Sequence, residues 1–537
     1  MEFNIADLFE SLVDVVPERT AVVCGDRRLT FAELEARANR FANALTARGV
    51  KAGDHVGLYL FNSTEFLEAM LGAFKIRAVP ININYRYVED ELRFLFVNAD
   101  LVALVYQNEF SPRVEAVAGS VPTLRLLVSV DDGSTGRVPG SVGFDALLAE
   151  AGPERGFAPR SGDDIYMIYT GGTTGMPRGV MWRQDDVFFA GLQGGNPGGP
   201  HLERPEELAA NAVANAEPLT FLPAAPFIHG AAQWAALIGL FGGGKVVLVP
   251  GRSFDAAVAV QLIAREKVTT MTLVGDAMAR PLADALVAHG AGLDLSSLMV
   301  ISSAGAILSD SVKDDLQAAL PDAMILNSFG ASETGHQGTM YPGGPSGQIT
   351  FYMDDSNTVL GDDHRPLAPG SGAMGRLARR GRLPVGYYND PVKTAATFLT
   401  IDGERWVVPG DLATVEEDGR ITIFGRGAMC INSGGEKVFP EEVESALKAH
   451  PDVLDAVVVG VPDERWGQRV AAVIQPRTGR EVTLAMVDAH CRTKVAGYKV
   501  PRQIHIVDEM VRHPSGKPDY RWAGGIATAP RATPVEG

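Results

Sequence analysis

Apolar positions Phe31, Leu34, Ala38, Phe41 and Leu45 recur at helical spacing and predict an amphipathic helix. Ahead of them, Thr30-Phe-Ala-Glu33 is a capping-box pattern, in which the two side chains satisfy free N–H groups of the first turn. Gly49 supplies a stop. Residues 55–60 and 78–83 read as strands, with a helix at 66–74 between them. This alternation predicts βαβ units around a mostly parallel sheet, an α/β fold. Residues 131–143, 191–207 and 341–372 read as loops. From about 373 to 424, short strands between glycines predict a small β-barrel-like subdomain. Helical character returns after Gly425. Pro440 is placed to open a helix, Glu441 and Glu442 suit its N-terminal dipole, and it runs to about His450 before a buried strand at 455–461. A boundary near Gly427 and Ala428 divides the chain into a large domain, 1–427, and a small α+β domain, 428–537. The last fifteen residues, rich in Ala, Pro and Thr, are expected to form a loose tail.

One stretch, 221–244, has no Asp, Glu, Lys or Arg. Pro223, Pro226, His229, Gln233 and several glycines interrupt it, so it reads as a buried core helix, not a transmembrane segment. Within it, Gly242-Gly-Gly-Lys245 looks like a phosphate loop. The strand at 246–249 follows with no helix between, so it reads as a turn. The charge balance is −17 from 48 Lys plus Arg against 65 Asp plus Glu, which disfavours nucleic acid as a partner. Cys24, Cys430 and Cys491 are too sparse for a disulfide framework or a zinc motif, and the ten histidines form no HExxH pattern. Together with the absence of a basic-then-apolar leader in MEFNIADLFE, this predicts a cytoplasmic location.

The strongest chemical signal is Tyr169 to Gly179, YTGGTTGMPRG. An apolar strand at 165–168 feeds a loop in which Gly171, Gly172 and Gly175 let backbone N–H groups approach phosphate oxygens. Thr170, Thr173 and Thr174 add hydroxyl donors, and Arg178 adds a cation. No Gly-Lys-Ser/Thr follows, so this is not the Walker pattern.

This segment resembles the signature loop of the adenylate-forming superfamily: acyl-CoA synthetases, adenylation domains of nonribosomal peptide synthetases, and firefly luciferase. It departs from that loop at Gly171, where the family has serine, and at Arg178, where it has lysine. Asn327-Ser-Phe-Gly-Ala-Ser-Glu333 is similar to the family's Tyr-Gly-x-Thr-Glu segment. The resemblance places Asn327, Ser328 and Gly330 at the nucleotide, Phe329 on adenine, Ser332 at a phosphate, and Glu333 on Mg²⁺. Gly305 and Ala306, in Ser303-Ala-Gly-Ala-Ile-Leu308, resemble the adenine-site loop, with Ile307 in place of proline. Asp411, in Pro409-Gly-Asp411, and Arg426 match residues that reach the ribose hydroxyls. Ala428 stands where the family has an Asp or Lys hinge. In 431–438 the resemblance puts Gly435 on the path of the pantetheine arm and Lys437 at nucleotide or coenzyme A. Tyr498-Lys-Val-Pro-Arg502 and Pro514-Ser-Gly-Lys517 complete the series, Lys517 matching the catalytic lysine. His229, Gly230 and Trp234 fall where the family lines its acyl pocket, and the small apolar residues from Ala224 to Leu240 suggest a roomy one.

The resemblance therefore implies an acyl-CoA synthetase with a mobile C-terminal domain, using ATP, Mg²⁺ and coenzyme A on a small-molecule carboxylic acid. The segments 406–411 and 432–440 are more similar to fatty-acyl and steroid-side-chain CoA ligases than to acetate or aromatic-acid members. Medium- or long-chain fatty acids and steroid side-chain acids are the expected substrates. Two alternatives stay open: an acyl-AMP ligase that loads a carrier protein, and a catalytically silent nucleotide-binding homologue. Oligomeric state is open too, a homodimer included.

Overall fold

The computed structural model describes residues 1–170, 176–306, 308–340, 350–426, 430–433, 436–463, 467–512 and 517–529. Its first sheet carries the parallel strands Lys245–Leu248, Thr220–Pro223, Thr270–Leu273, Val300–Ala304 and Met324–Ala331, in that spatial order. Its second has His55–Tyr59 between the parallel neighbours Val79–Asn82 and Leu101–Gln107. That sheet ends in the antiparallel strands Ile165–Thr170, Arg178–Arg183 and Gly386–Tyr387. The helix expected from Phe31 spans Phe31–Ala47. Its capping box is formed, with Thr30 Oγ1 accepting from the Glu33 amide at 3.1 Å and Glu33 Oε2 accepting from the Thr30 amide at 2.8 Å. The apolar stripe it presents, Phe31, Leu34, Ala38, Phe41 and Leu45, is wholly buried in a core that also takes side chains from both sheets. Burial of each such aromatic or leucine contributes about 1.5–3 kcal/mol.

The uncharged stretch folds as the strand Thr220–Pro223 and the helix Gly230–Phe241. Among the described residues no helix is long and apolar enough to cross a membrane. The glycine run is a turn, as expected. A Cβ on Gly244 would stand 2.1 Å from the Leu219 carbonyl oxygen, and Lys245 Nζ is held by the Glu266 carboxylate at 3.0 Å.

The barrel-like subdomain is corrected. Gly335–Met340, Thr350–Met353, Ile421–Arg426, Asp411–Val415, Gly375–Arg380, Glu404–Val407 and Phe398–Ile401 pair antiparallel as an open continuation of the first sheet. A barrel closes by pairing its two edges. Here Gly335–Met340 pairs with Met324–Ala331, so that edge joins the parallel strands and closure is lost. The loop expected over 341–372 is likewise shorter, because Thr350–Met353 and Asn357–Leu360 are strands within it.

The C-terminal region is built on the antiparallel pair Val453–Asp463 and Gly467–Pro476. Side chains alternate across it with the two-residue strand period. Val458 and Val470 face helix Pro440–Lys448 through Val443 and Leu447, while Val457 and Val459 face Ala523 and Ala527 of helix Tyr520–Thr528. That last helix replaces the first part of the loose tail. Asp519 caps it, and its buried alanines are four positions apart, a signal that composition alone hides. The boundary at Gly427 and Ala428 lies outside the described residues.

Candidate active site

Strand register sets the phosphate-loop end of the site. Thr170 ends one strand, Arg178 begins the next, and the two are cross-strand partners. Gly171, Gly172, Thr173, Thr174 and Gly175, which join them, lie outside the described residues. Arg178 Nε donates to Asp390 Oδ2 at 3.3 Å, and Asp390 also caps helix Pro391–Thr397 by accepting from the Lys393 amide. Gly386–Tyr387 pairs with Val180 and Met181 on the same strand. From there the Tyr387 hydroxyl donates to Glu333 Oε1 at 2.9 Å. Burial and the adjacent Glu333 carboxylate push the Tyr387 phenol well above its usual range, so it keeps its proton and acts as donor. Trp182, fully buried two residues after Val180, donates its indole N–H to the Ser332 carbonyl at 2.8 Å. The 332–333 segment is thus tied to the strand Arg178–Arg183 through Trp182 and to that strand's edge partner through Tyr387.

The adenine-side segments meet at adjacent strand ends. Asn327 Nδ2 donates to the Leu308 carbonyl at 3.0 Å, steadying the stretch that carries Gly305 and Ala306, and Ser328 Oγ lies 2.9 Å from Ser302 Oγ. Gly330 sits at a register shift opposite His336. The Phe329 ring packs against Phe351 at 5.3 Å. Behind Glu333, buried Arg379 donates to the Thr334 carbonyl at 2.6 Å and to the His336 carbonyl. Burial, reinforced by Arg379, holds the His336 imidazole down to about 4, neutral at physiological pH. Arg379→Met keeps the volume but leaves two inward carbonyls without their donor. We expect a loss of about 2–3 kcal/mol, read as a lower thermal unfolding midpoint.

Asp411 and Arg426 are cross-strand partners, so the two ribose candidates share one ladder position. Helix Pro440–Lys448 covers that end. Lys448 Nζ is 3.5 Å from Asp276 Oδ2, and the Lys448 carbonyl accepts from Ser311 Oγ at 3.2 Å. Gly425, at φ +90°, passes so close that a Cβ there would stand 2.5 Å from Glu441 Oε1. Burial, then Glu444 and Asp411, pushes the Glu441 carboxyl up to about 8. Lys517 is half-buried on the small domain, three residues before Tyr520, whose phenol faces Glu444 and Glu441. Gly435 and the Lys437 side chain lie outside the described residues.

Much of the acyl segment packs in the core. Ala225, Phe227, Ala232, Ala236, Leu237 and Leu240 are fully buried core, because the helix turns its small apolar face onto the sheet. His229 is half-buried at the N-cap of that helix. Trp234 fills the space between Gly191 and Gly230, its ring 3.0 and 3.3 Å from where a Cβ on each would sit. Beside it the Tyr166 hydroxyl donates to Gln233 Oε1 at 2.7 Å.

The AMP-binding enzyme family matches residues 9–388, and the AMP-binding enzyme C-terminal domain matches 442–517. The chain belongs to the AMP-binding enzyme family. A medium/long-chain-fatty-acid–CoA/3-oxocholest-4-en-26-oate–CoA ligase of Mycolicibacterium smegmatis is 49% identical, over 98% of this chain and 97% of that one. A 3-oxocholest-4-en-26-oate–CoA ligase of Rhodococcus rhodochrous is 48% identical, over 97% and 96%. Among solved structures, an anthranilate CoA ligase in complex with anthranoyl-AMP superposes with a TM-score of 0.83 at 26% identity, over 97% and 96% of the two chains. This AMP-binding enzyme also has site residues that sequence motifs did not single out: Trp182, Arg379, Tyr387, Asp390 and Glu441. Each acts through a partner distant in sequence, so no local spacing marks it.

Proposed function

We propose that this AMP-binding enzyme is an ATP-dependent acyl-CoA synthetase acting on hydrophobic carboxylic acids, medium- or long-chain fatty acids and steroid side-chain acids among them. The observation that supports this most is the 49% identity to a CoA ligase over both domains, including the small domain that carries Lys517. The acid's carboxylate attacks the α-phosphorus of ATP and pyrophosphate leaves. The thiol of coenzyme A then attacks the acyl carbonyl and AMP leaves. In the first step an anion approaches an anion, so the barrier is largely electrostatic and is lowered by cations and N–H donors aimed at the developing charge. Lys517 would bridge the carboxylate and the α-phosphate, the 170–178 loop with Arg178 would hold the departing phosphates, and Asp411 and Arg426 would fix the ribose.

Glu333 suits Mg²⁺. It is a half-buried carboxylate with one oxygen held by Tyr387, and no group of three or more His, Cys, Asp or Glu side chains gathers for a metal among the described residues. A single carboxylate completed by substrate phosphates is the usual magnesium arrangement. When bound there, Mg²⁺ would neutralise phosphate charge. For the second step the small domain would turn Lys517 away and bring Gly435 to the thiol's path. The cysteine pattern supports a cytoplasmic location.

The deciding measurement is pyrophosphate release and acyl-CoA formation with ATP, coenzyme A and acids from acetate through long-chain and steroid side-chain acids. We expect thioester product with the hydrophobic acids. Adenylate that accumulates without a CoA thioester would favour the carrier-loading alternative, and no pyrophosphate with any acid would favour the silent homologue.

A further inference from the structure

The Tyr387 hydroxyl lies on Glu333 Oε1 at 2.9 Å, although Tyr387 is in a strand of the second sheet and Glu333 in a turn between two strands of the first. We infer that Tyr387 is a positioning residue for the Glu333 carboxylate, fixing its orientation relative to the strand Arg178–Arg183 so that Oε2 is presented to the metal. This rests on the reading of Glu333 as the Mg²⁺ carboxylate.

Tyr387 has little freedom of its own. Its Cα is in register with Val180, the Tyr388 amide donates to the Gly179 carbonyl at 2.8 Å, and the Val385 amide donates to the Met181 carbonyl at 2.7 Å. Its own amide donates to Thr394 Oγ1 at 2.9 Å, and its ring packs edge-on against Phe398 at 5.7 Å. The donor is therefore carried by the strand Gly386–Tyr387, which is laddered antiparallel onto the strand that begins at Arg178. Glu333, in contrast, sits in a turn, and a glutamate side chain there has three torsions to order before it can ligate. Ordering such a chain carries an entropic cost, and a preformed hydrogen bond removes much of that cost from the binding step. Tyr387 occupies Oε1 and leaves the other oxygen available. It also ties the carboxylate to the strand Arg178–Arg183 through a β-ladder, a more rigid link than the turn itself.

The competing account is a buried tyrosine that has found the nearest acceptor and serves only the fold. The two differ in magnesium dependence. Binding of ATP to the full-length enzyme, without acid or coenzyme A, can be followed calorimetrically across a Mg²⁺ series and again in chelator. Wild type, Tyr387→Phe and Glu333→Gln are compared, the phenylalanine retaining the ring contact with Phe398. Loss of a group that orients a metal ligand weakens metal affinity by roughly 10- to 100-fold. The expected result is a rise of that size in the half-saturating Mg²⁺ for Tyr387→Phe, with ATP affinity in chelator unchanged and with Glu333→Gln abolishing the Mg²⁺ response. A wild-type Mg²⁺ midpoint in Tyr387→Phe, alongside a lost response in Glu333→Gln, overturns the inference and leaves the Glu333 reading intact. A wild-type response in Glu333→Gln removes the Glu333 reading and the inference with it. Equal weakening of ATP binding by Tyr387→Phe with and without Mg²⁺ overturns the inference in favour of a fold role.

Discussion

Replacing Lys517 by alanine is expected to lower acyl-adenylate formation by at least 10²- to 10³-fold, the scale on which a single aimed donor contributes to an anionic transition state. The reason is electrostatic. The attacking carboxylate and the α-phosphate are both anions, and an ammonium between them cancels repulsion that solvent would otherwise have to screen. The lysine has no such role once the adenylate exists, since the thiol attacks a neutral acyl carbonyl. Thioester formation from supplied acyl-adenylate should therefore be largely spared. ATP–pyrophosphate exchange measures the first half-reaction, and acyl-CoA formation from synthetic adenylate measures the second. Equal loss in both would mean that Lys517 supports the small domain and does not touch the reacting groups.

The second large effect concerns pH. In the docked arrangement burial against Gly425, with Glu444 and then Asp411 nearby, lifts the Glu441 carboxyl from an ordinary 4.5 to about 8. If the small domain moves as proposed, the raised acid keeps its proton in the docked form and loses it more readily in the open one, where the Gly425 and Asp411 contacts are gone. Docking is therefore fully favoured below about 4.5, weakens as pH rises, and levels off above about 8. Within that window one proton is linked to opening, so the docked-to-open ratio falls by up to tenfold per pH unit. Glu441→Gln, neutral at every pH, should flatten the profile. Energy transfer between dyes on the two domains, recorded from pH 5 to 9, reads the ratio directly. A wild-type profile with no slope, or an unchanged slope in the glutamine variant, would assign the contact no role in domain motion.

Some of this was legible in the chain and some was not, for physical reasons. The helix Phe31–Ala47 was readable because its cap and its stripe are local, each contact lying within a few residues. The first turn of Pro440–Lys448 was readable for the same reason. The barrel-like subdomain failed because strand order depends on edges: short strands between glycines look alike whether the sheet closes or extends. The acyl segment is ambiguous in sequence because small apolar residues suit a cavity wall and a helix–sheet contact equally well, and in the structure Ala232, Ala236 and Leu237 pack. The motif residues stood out through the family resemblance. Their supports, Trp182 to Ser332, Tyr387 to Glu333 and Arg379 to Thr334, did not, because each donor reaches its acceptor across tens to hundreds of residues.

The pairing of Arg178 with Asp390, and of its strand with Gly386–Tyr387, has a consequence for biosynthesis. The partners are 212 positions apart, so a nascent polypeptide exposes the glycine–threonine segment long before the ribosome has delivered what braces it. Until then the strand that begins at Arg178 has no partner along its outer edge. Translation order therefore leaves this edge of the second sheet to be completed only after residue 390 has been made.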